Sequence, residues 1–183
     1  MTSYYYKDFF TNITRCTTRF IYKARVNRAR VINLCSTKMN GFITQLYQDL
    51  VTLCEKNKEF FYKDVQLESI KYRIFNYNLC SYEQFHRHPS ALNCRGTMFN
   101  ITDSETIRLV SLPPEKFFNY EEGDGRRIHA PNAFGIQMEK LDGSLISTYF
   151  HTIDGMQPVL RLKSKASVIS SHAVQATNLL TGK

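Results

Sequence analysis

Residues 70–79 have the sequence IKYRIFNYNL, and this stretch decides the fold class. The helical spacing of apolar residues that precedes it ends here, and a short run rich in β-branched and aromatic side chains begins. Five more such runs follow, separated by turn-forming residues: 96–101, 106–112, 134–140, 144–152 and 158–164. The pattern predicts several antiparallel strands joined by turns.

Helices are predicted on both sides of these strands. Asn40 is a suitable N-cap, and apolar residues follow it at helical spacing from Phe42 to Cys54, so we expect an amphipathic helix over residues 41–56. A second helix is expected over residues 167–180, where apolar side chains lie roughly on one side. A helix, several antiparallel strands and a second helix predict the α+β class, and 183 residues suit one domain.

Composition excludes several classes of protein. With 43% hydrophobic and 22% charged residues, the chain has ordinary globular usage and is not expected to be disordered. No apolar run approaches the roughly 20 residues that span a bilayer, so an integral membrane protein is excluded and no membrane partner is expected. Five cysteines without a Cys-x-x-Cys pair argue against a disulfide framework and a zinc ribbon, and they favour a cytoplasmic location.

The net charge of +8 is concentrated at the amino terminus. Residues 1–38 contain eight Lys or Arg and one acid, Asp8, whereas the remaining chain is nearly balanced. The segment is compatible with a basic RNA-binding arm, with a transit peptide, or with upstream sequence before a start at Met39. We favour the third interpretation, which makes residues 1–38 a basic extension outside the mature protein and residues 39–183 the domain.

Lys140 carries the most informative local pattern. It ends an apolar strand at the entrance of an Asp142-Gly143 turn. The strand would fix the lysine, and Gly143, which has no Cβ, would let the main chain approach a phosphate. Burial or a neighbouring cation makes a lysine amine nucleophilic near neutral pH. The blander and more frequent alternative is an exposed hairpin with a surface lysine.

Further cations lie at strand ends or turn edges in apolar or aromatic surroundings: Arg95, Lys116, Lys163 and Lys165. Such residues are usually exposed to solvent on the protein surface. A cation among apolar residues costs desolvation free energy unless an anion meets it. Several of them together are therefore what a triphosphate site needs.

The motif Lys140-x-Asp142-Gly143-Ser144 resembles the nucleophile motif of the covalent nucleotidyltransferases, which comprise RNA ligases, DNA ligases and mRNA capping enzymes. The flanking blocks resemble the phage-type RNA ligases specifically, the RNA ligase 1 family of T-even bacteriophages. These blocks follow the family's order: FFYKDV (60–65), KYRIFNYNLCSY (71–82), LNCRGTMF (92–99), EKFFN (115–119), KLDGSLISTY (140–149) and LKSKAS (162–167). They span nearly all of residues 39–183, and six collinear blocks are far more specific than the motif alone.

The resemblance implies an antiparallel-sheet, ATP-grasp-like nucleotidyltransferase domain and an ATP-dependent RNA ligase. Lys140 would attack the α-phosphorus of ATP, expel pyrophosphate and hold AMP as a phosphoramidate. The AMP would then pass to a 5′-phosphate RNA end, which a 3′-hydroxyl end attacks to seal the strand. Mg²⁺ would neutralise the triphosphate. The implied partners are ATP and nicked or broken RNA, tRNA being one such substrate.

The resemblance also assigns roles to individual residues. Arg95 and Lys116 match positions that bind the nucleotide and its phosphates, and Tyr77 matches an aromatic residue near the adenosine. Gly143 matches the turn glycine behind the nucleophile. Lys165 matches a lysine needed for activity.

The sequence departs from the family pattern in two respects. Ala166 stands where the family usually has glycine, and the chain ends before the family's later acidic residues, late lysine pair and carboxy-terminal domain. We therefore expect the amino-terminal part of the adenylyltransferase domain, carboxy-terminally truncated, as a monomer in the cytoplasm, that of the host if the protein is viral. The competing hypothesis is a non-catalytic remnant or an RNA-binding fragment of an interrupted gene.

No metal site built by the protein is predicted. His86 and His88 form a His-x-His pair that needs further ligands to hold a metal, and none is evident nearby. A surface loop is the favoured interpretation.

Overall fold

The computed structural model of the protein describes residues 28–118, 143–153 and 155–182. Phe42–Phe117 and Asp142–Lys183 form one compact unit. The other unit consists of Met1–Gly41 and Phe118–Leu141, and its described part is residues 28–41 and Phe118. The structure thus describes nearly all of the first unit.

Two antiparallel sheets organise that unit. The first has four strands in the order β1-β2-β3-β4: β1 (Phe60–Leu67), β2 (Ile70–Tyr77), β3 (Met98–Asn100) and β4 (Arg108–Ser111). The second is the hairpin of β5 (Ile146–His151) and β6 (Val159–Ser164). Three helices complete the described fold: α1 (Arg28–Lys56), α2 (Tyr82–His86) and α3 (Ser171–Thr181), with a 3₁₀ turn at Pro89–Asn93. Helices outside antiparallel sheets confirm the α+β class.

The predicted start of the first helix is wrong. Helix α1 begins at Arg28 and continues through Asn40 and Gly41 to Lys56, so it crosses the boundary proposed at residue 38. The N-cap preference of Asn and the helix penalty of Gly are each worth only about 1 kcal/mol, and the surrounding residues continue the helical hydrogen bonds. No proline interrupts the helix. Residues 1–27 lie outside the described residues. Within those that are described, no helix has both the length and the apolar composition that crossing a membrane requires.

Most predicted strands are confirmed, with ends shifted by a few residues, whereas β1 was missed. The predicted strand at residues 134–140 lies outside the described residues. β1 lies at the edge of the sheet, where its side chains from Tyr62 to Asp64 are exposed. Its sequence, FFYKDVQL, opens with three aromatic residues, but Lys63 and Asp64 stand side by side and interrupt the alternation of apolar and polar residues that marks a strand. The predicted second helix is confirmed as α3, which begins later, at Ser171, with Ser170 as its N-cap.

Strand β2 forms the centre of the core and is covered on both faces. On one face, Phe75 packs edge-on against Tyr47 of α1, with ring centroids 5.8 Å apart. On the other face, Tyr72 and Ile74 pack in a buried cluster with Tyr149 of β5. β2 pairs with β1 along its whole length and with β3 near its middle, so its position is fixed from every side.

A buried polar contact joins the two sheets. The Tyr72 hydroxyl and His151 Nδ1 are 2.7 Å apart, and both side chains are almost fully buried. His151 Nε2 faces Glu68 at 3.4 Å, and Arg161 donates to the same carboxylate at 2.9 Å. Burial raises the pKa of Tyr72 to about 12, so its hydroxyl stays protonated at neutral pH. This contact ties β2 to the β5–β6 hairpin.

Replacing Tyr72 with phenylalanine should lower the free energy of unfolding by about 1–2 kcal/mol, because His151 Nδ1 loses its buried partner. Urea denaturation followed by circular dichroism measures the change. Tyr62→Phe is the matched control, since Tyr62 is partly exposed on the outer strand and its loss of a hydroxyl should be nearly neutral. Equal losses in the two variants would show that the contact does not hold the sheets together.

Candidate functional site

The site forms where the segment before β3 meets the end of β6. Gly96 adopts a φ of +91°, and its backbone N–H donates to the carbonyl of Phe75 at 2.8 Å. A Cβ at this position would lie 2.6 Å from the carbonyl oxygen of Lys165 and 3.2 Å from Lys163 Nζ. Glycine is therefore required here both by the left-handed backbone and by the close approach. It lets the chain at Arg95 lie directly against the strand end that carries the two lysines.

Tyr77 and Lys165 lie in direct contact. Tyr77 ends β2, and the Nζ atom of Lys165 stands 4.1 Å from the centroid of its ring. Burial raises the pKa of the Tyr77 hydroxyl, and the neighbouring Arg95 guanidinium partly opposes the shift. Arg95 is thus close to the same ring. These three predicted residues come from three separate parts of the sequence and meet at one place.

Arg95 is held from the opposite side by the segment that follows β4. Its Nη1 atom donates to the carbonyl of Glu115 at 3.3 Å, and its guanidinium stands 4.7 Å from the centroid of the Phe117 ring. The backbone N–H of Lys116 donates to the carbonyl of Leu92 at 2.8 Å, which fixes this segment beside the 3₁₀ turn. The arrangement brings Lys116 into the electrostatic neighbourhood of Lys165.

The site is positively charged. Burial is the main cause that lowers the pKa of Lys165, and repulsion from Arg95 and then Lys116 adds to it. Among the described residues, no carboxylate forms an ion pair with Arg95, Lys163 or Lys165. Cations brought together without a paired anion favour the binding of a polyanion.

The structure thus brings four of the six predicted site residues together: Tyr77, Arg95, Lys116 and Lys165. Lys140 lies outside the described residues. Gly143 is described, just before β5, where it is exposed and has a φ of +153°. Apart from its chain neighbours, no atom of the described residues lies within 4 Å of where a Cβ would stand, so within the described part of the chain only the positive φ favours glycine here.

Sequence reasoning missed three features of the site. It gave Gly96 no role, although this glycine sets the distance between the two segments. It did not place Phe117 against Arg95, although it noted that two phenylalanines follow Lys116. It grouped Lys163 with the other cations but did not foresee that this side chain is completely buried. A glycine directly after an arginine was the only local signal for the close approach.

One histidine of the His-x-His pair has an aromatic partner among the described residues. His86 stacks against Tyr82 on α2, with ring centroids 4.0 Å apart. Across the described ranges, no group of three or more His, Cys, Asp or Glu side chains could hold a metal ion.

The arrangement offers an aromatic face beside several cations. An aromatic ring can stack on a base, and lysine and arginine can bind the phosphates attached to it. No protein-family model matches the chain.

Proposed function

We propose that the protein acts as an ATP-dependent RNA ligase, with Lys140 as the residue that becomes adenylylated and with the cation cluster as its nucleotide site. The single observation that carries the proposal is the convergence of Tyr77, Arg95 and Lys165. The resemblance assigned nucleotide roles to these residues from separate blocks of sequence, and random surface cations would have no reason to meet. The proposal includes a nucleotidyltransferase fold built on the two antiparallel sheets.

Each residue has a defined task in this proposal. The ring of Tyr77 contacts the adenosine, while Arg95, Lys116 and Lys165 bind the phosphates and stabilise the charge that develops on them. The Lys140 amine loses a proton and attacks the α-phosphorus; a P–N bond forms, and the bond from the α-phosphorus to the bridging oxygen breaks, releasing pyrophosphate. The AMP then passes to a 5′-phosphate RNA end.

Mg²⁺ enters the proposal only as a companion of the nucleotide. The described side chains of the site are cations, an aromatic ring and a glycine, which do not fit the oxygen ligands that Mg²⁺ requires. We therefore assign no protein ligand to the ion among these residues.

Incubation with α-³²P-labelled ATP and Mg²⁺, followed by a denaturing gel, tests the proposal. The wild-type chain should retain covalent label, and Lys140→Ala should retain none, because the phosphoramidate nitrogen is removed. Lys63→Ala is the matched control, since Lys63 is exposed on the outer strand β1 and its removal should leave labelling unchanged. ATP labelled at the γ-phosphate should give no label on any variant.

Two outcomes contradict the enzyme hypothesis. Absence of label on the wild-type chain would favour the alternative, a non-catalytic fragment that binds nucleotide or RNA through the same cations. Equal label on wild type and Lys140→Ala would assign the chemistry to another residue. If label forms, offering 5′-phosphorylated RNA and DNA strands of the same sequence separates an RNA ligase from a DNA ligase, and labelling by GTP instead of ATP would indicate a capping enzyme.

A further inference from the structure

Lys163 is a completely buried cation with little to compensate its charge. Its side chain is 0% exposed, and its ammonium donates to the carbonyl of Ser164 at 3.2 Å. Among the described residues, that is its one hydrogen bond, and no carboxylate forms an ion pair with it. Burying an ammonium group without an anion is costly, and such a group usually responds by giving up its proton.

Lys163 lies inside the candidate site, so a gain or loss of its proton changes the charge of that site. Its Nζ atom lies beside Gly96, 3.2 Å from where a Cβ of that residue would stand. The Cα atom of Lys165 lies 3.3 Å from the same point, so the buried ammonium and the Lys165 segment meet at Gly96, next to Arg95. A polyphosphate bound by Arg95 and Lys165 would bring negative charge close to the buried ammonium.

Burial is the cause of the shifted protonation equilibrium of Lys163. It lowers the pKa of the ammonium to about 8, so both protonation states are populated in mildly alkaline solution. On the segments at Gly96, after β4 and at the end of β2, the titratable groups are three cations, one carboxylate that accepts from Asn93, and three neutral groups: Arg95, Lys116 and Lys165; Glu115; Tyr77, Cys80 and Cys94. The face of the β5–β6 hairpin that carries Lys163 adds Tyr149, His151 and Arg161, whose guanidinium is paired with Glu68. The surrounding charge is thus positive on balance and changes sign only when an anion binds.

We infer that Lys163 is a proton-linked positioning residue, which takes up a proton when a polyphosphate binds to the neighbouring cations and so makes binding tighter as the pH falls. The inference rests on the proposed nucleotide site and adds to it a dependence on pH. Its sign follows from linkage. The bound anion raises the pKa of Lys163 above its value in the free protein, so binding takes up protons, and affinity is lost as the pH rises through about 8.

Inorganic tripolyphosphate is the probe, because it offers the phosphates without the adenosine. Calorimetric titration near pH 8 in two buffers of different ionisation enthalpy gives the protons taken up on binding. Compared with Lys163→Met, the wild-type chain should take up about half a proton more. Its affinity should fall about tenfold more than that of the variant between about pH 7 and about pH 9. Lys63→Met, which removes the same charge from the exposed strand β1, should behave like the wild type.

A second measurement needs no substitution at Lys163. In the unmodified chain with isotopically labelled lysines, one side-chain NMR resonance should titrate with a midpoint near pH 8. Adding tripolyphosphate should shift that midpoint to higher pH. Three results would each overturn the inference. They are the absence of such a resonance, equal proton uptake by wild type and Lys163→Met, and a failure of tripolyphosphate to bind. The proposed function fails separately. Proton uptake without covalent labelling by ATP would refute the enzyme hypothesis and leave the role of Lys163 intact. Labelling without proton uptake would refute the role of Lys163 and leave the enzyme hypothesis intact.

Discussion

Gly96→Ala should lower the free energy of unfolding by about 2–5 kcal/mol, because the new methyl group meets two penalties at once. The backbone is in the left-handed region, and the Cβ would stand 2.6 Å from the carbonyl oxygen of Lys165. That neighbour is main chain, so it cannot rotate away. The segment at Arg95 would have to separate from the end of β6. Urea denaturation followed by circular dichroism measures the loss.

Gly155→Ala isolates the steric part of this effect. Gly155 also has a positive φ, +79°, but a Cβ there would meet nothing within 4 Å. The control variant should therefore lose only the conformational penalty, about 1–2 kcal/mol. Gly96→Ala should also weaken tripolyphosphate binding strongly, whereas Gly155→Ala should leave it unchanged. Similar stability losses in the two variants would mean that the two segments do not need their close approach.

Phe85→Ala should cost about 3–5 kcal/mol of stability, because it removes a completely buried ring from the support of the site. Phe85 packs edge-on against Tyr77 and Phe60, with ring centroids 4.9 and 5.5 Å apart. Tyr77 in turn carries the ammonium of Lys165 on its face. A cavity behind Tyr77 would let its ring move, so the proposed nucleotide binding should weaken even in the fraction of molecules that stay folded.

Thermal and urea unfolding give the size of this loss, and two variants calibrate it. Phe150→Ala removes the same side chain from a position that is 59% exposed, so its effect should be small. Phe85→Leu keeps most of the apolar volume and should lose less than the alanine variant. If Phe85→Ala proved as mild as Phe150→Ala, the aromatic support of Tyr77 would not be a structural requirement.

Much of the fold could be predicted from sequence because the central strands carry strong local patterns. The run at residues 70–79 contains the apolar residues that fill the core on both sides of β2, and the structure confirms a strand at Ile70–Tyr77. Weak local signals failed. An N-cap residue at Asn40 did not start a helix, and in β1 the adjacent polar residues Lys63 and Asp64 interrupted the alternation that marks a strand. At Asn40 the neighbouring residues continue the helix, and β1 is held by pairing with β2 along its whole length.

The residues of the candidate site could be selected from the sequence, but the packing that brings them together could not. The motif resemblance selected Tyr77, Arg95 and Lys165, and periodicity alone gave no reason to bring them together. The burial of Lys163 and the fit at Gly96 depend on β6 approaching a segment nearly seventy positions earlier in the chain. Such a contact is a property of tertiary packing, and no local pattern encodes it. The placement of Lys140 remains a prediction from the motif.

The two faces of β2 have a consequence for how the protein folds. Because successive side chains of a strand point in opposite directions, a shift of one position against β1 would exchange the sets of side chains on the two faces of β2. Tyr72 would leave His151, and Tyr77 would turn away from Lys165 at the same moment. A misaligned molecule would therefore lose its scaffold and its binding surface together. Molecules in which only the core or only the binding surface is correctly formed should therefore be scarce.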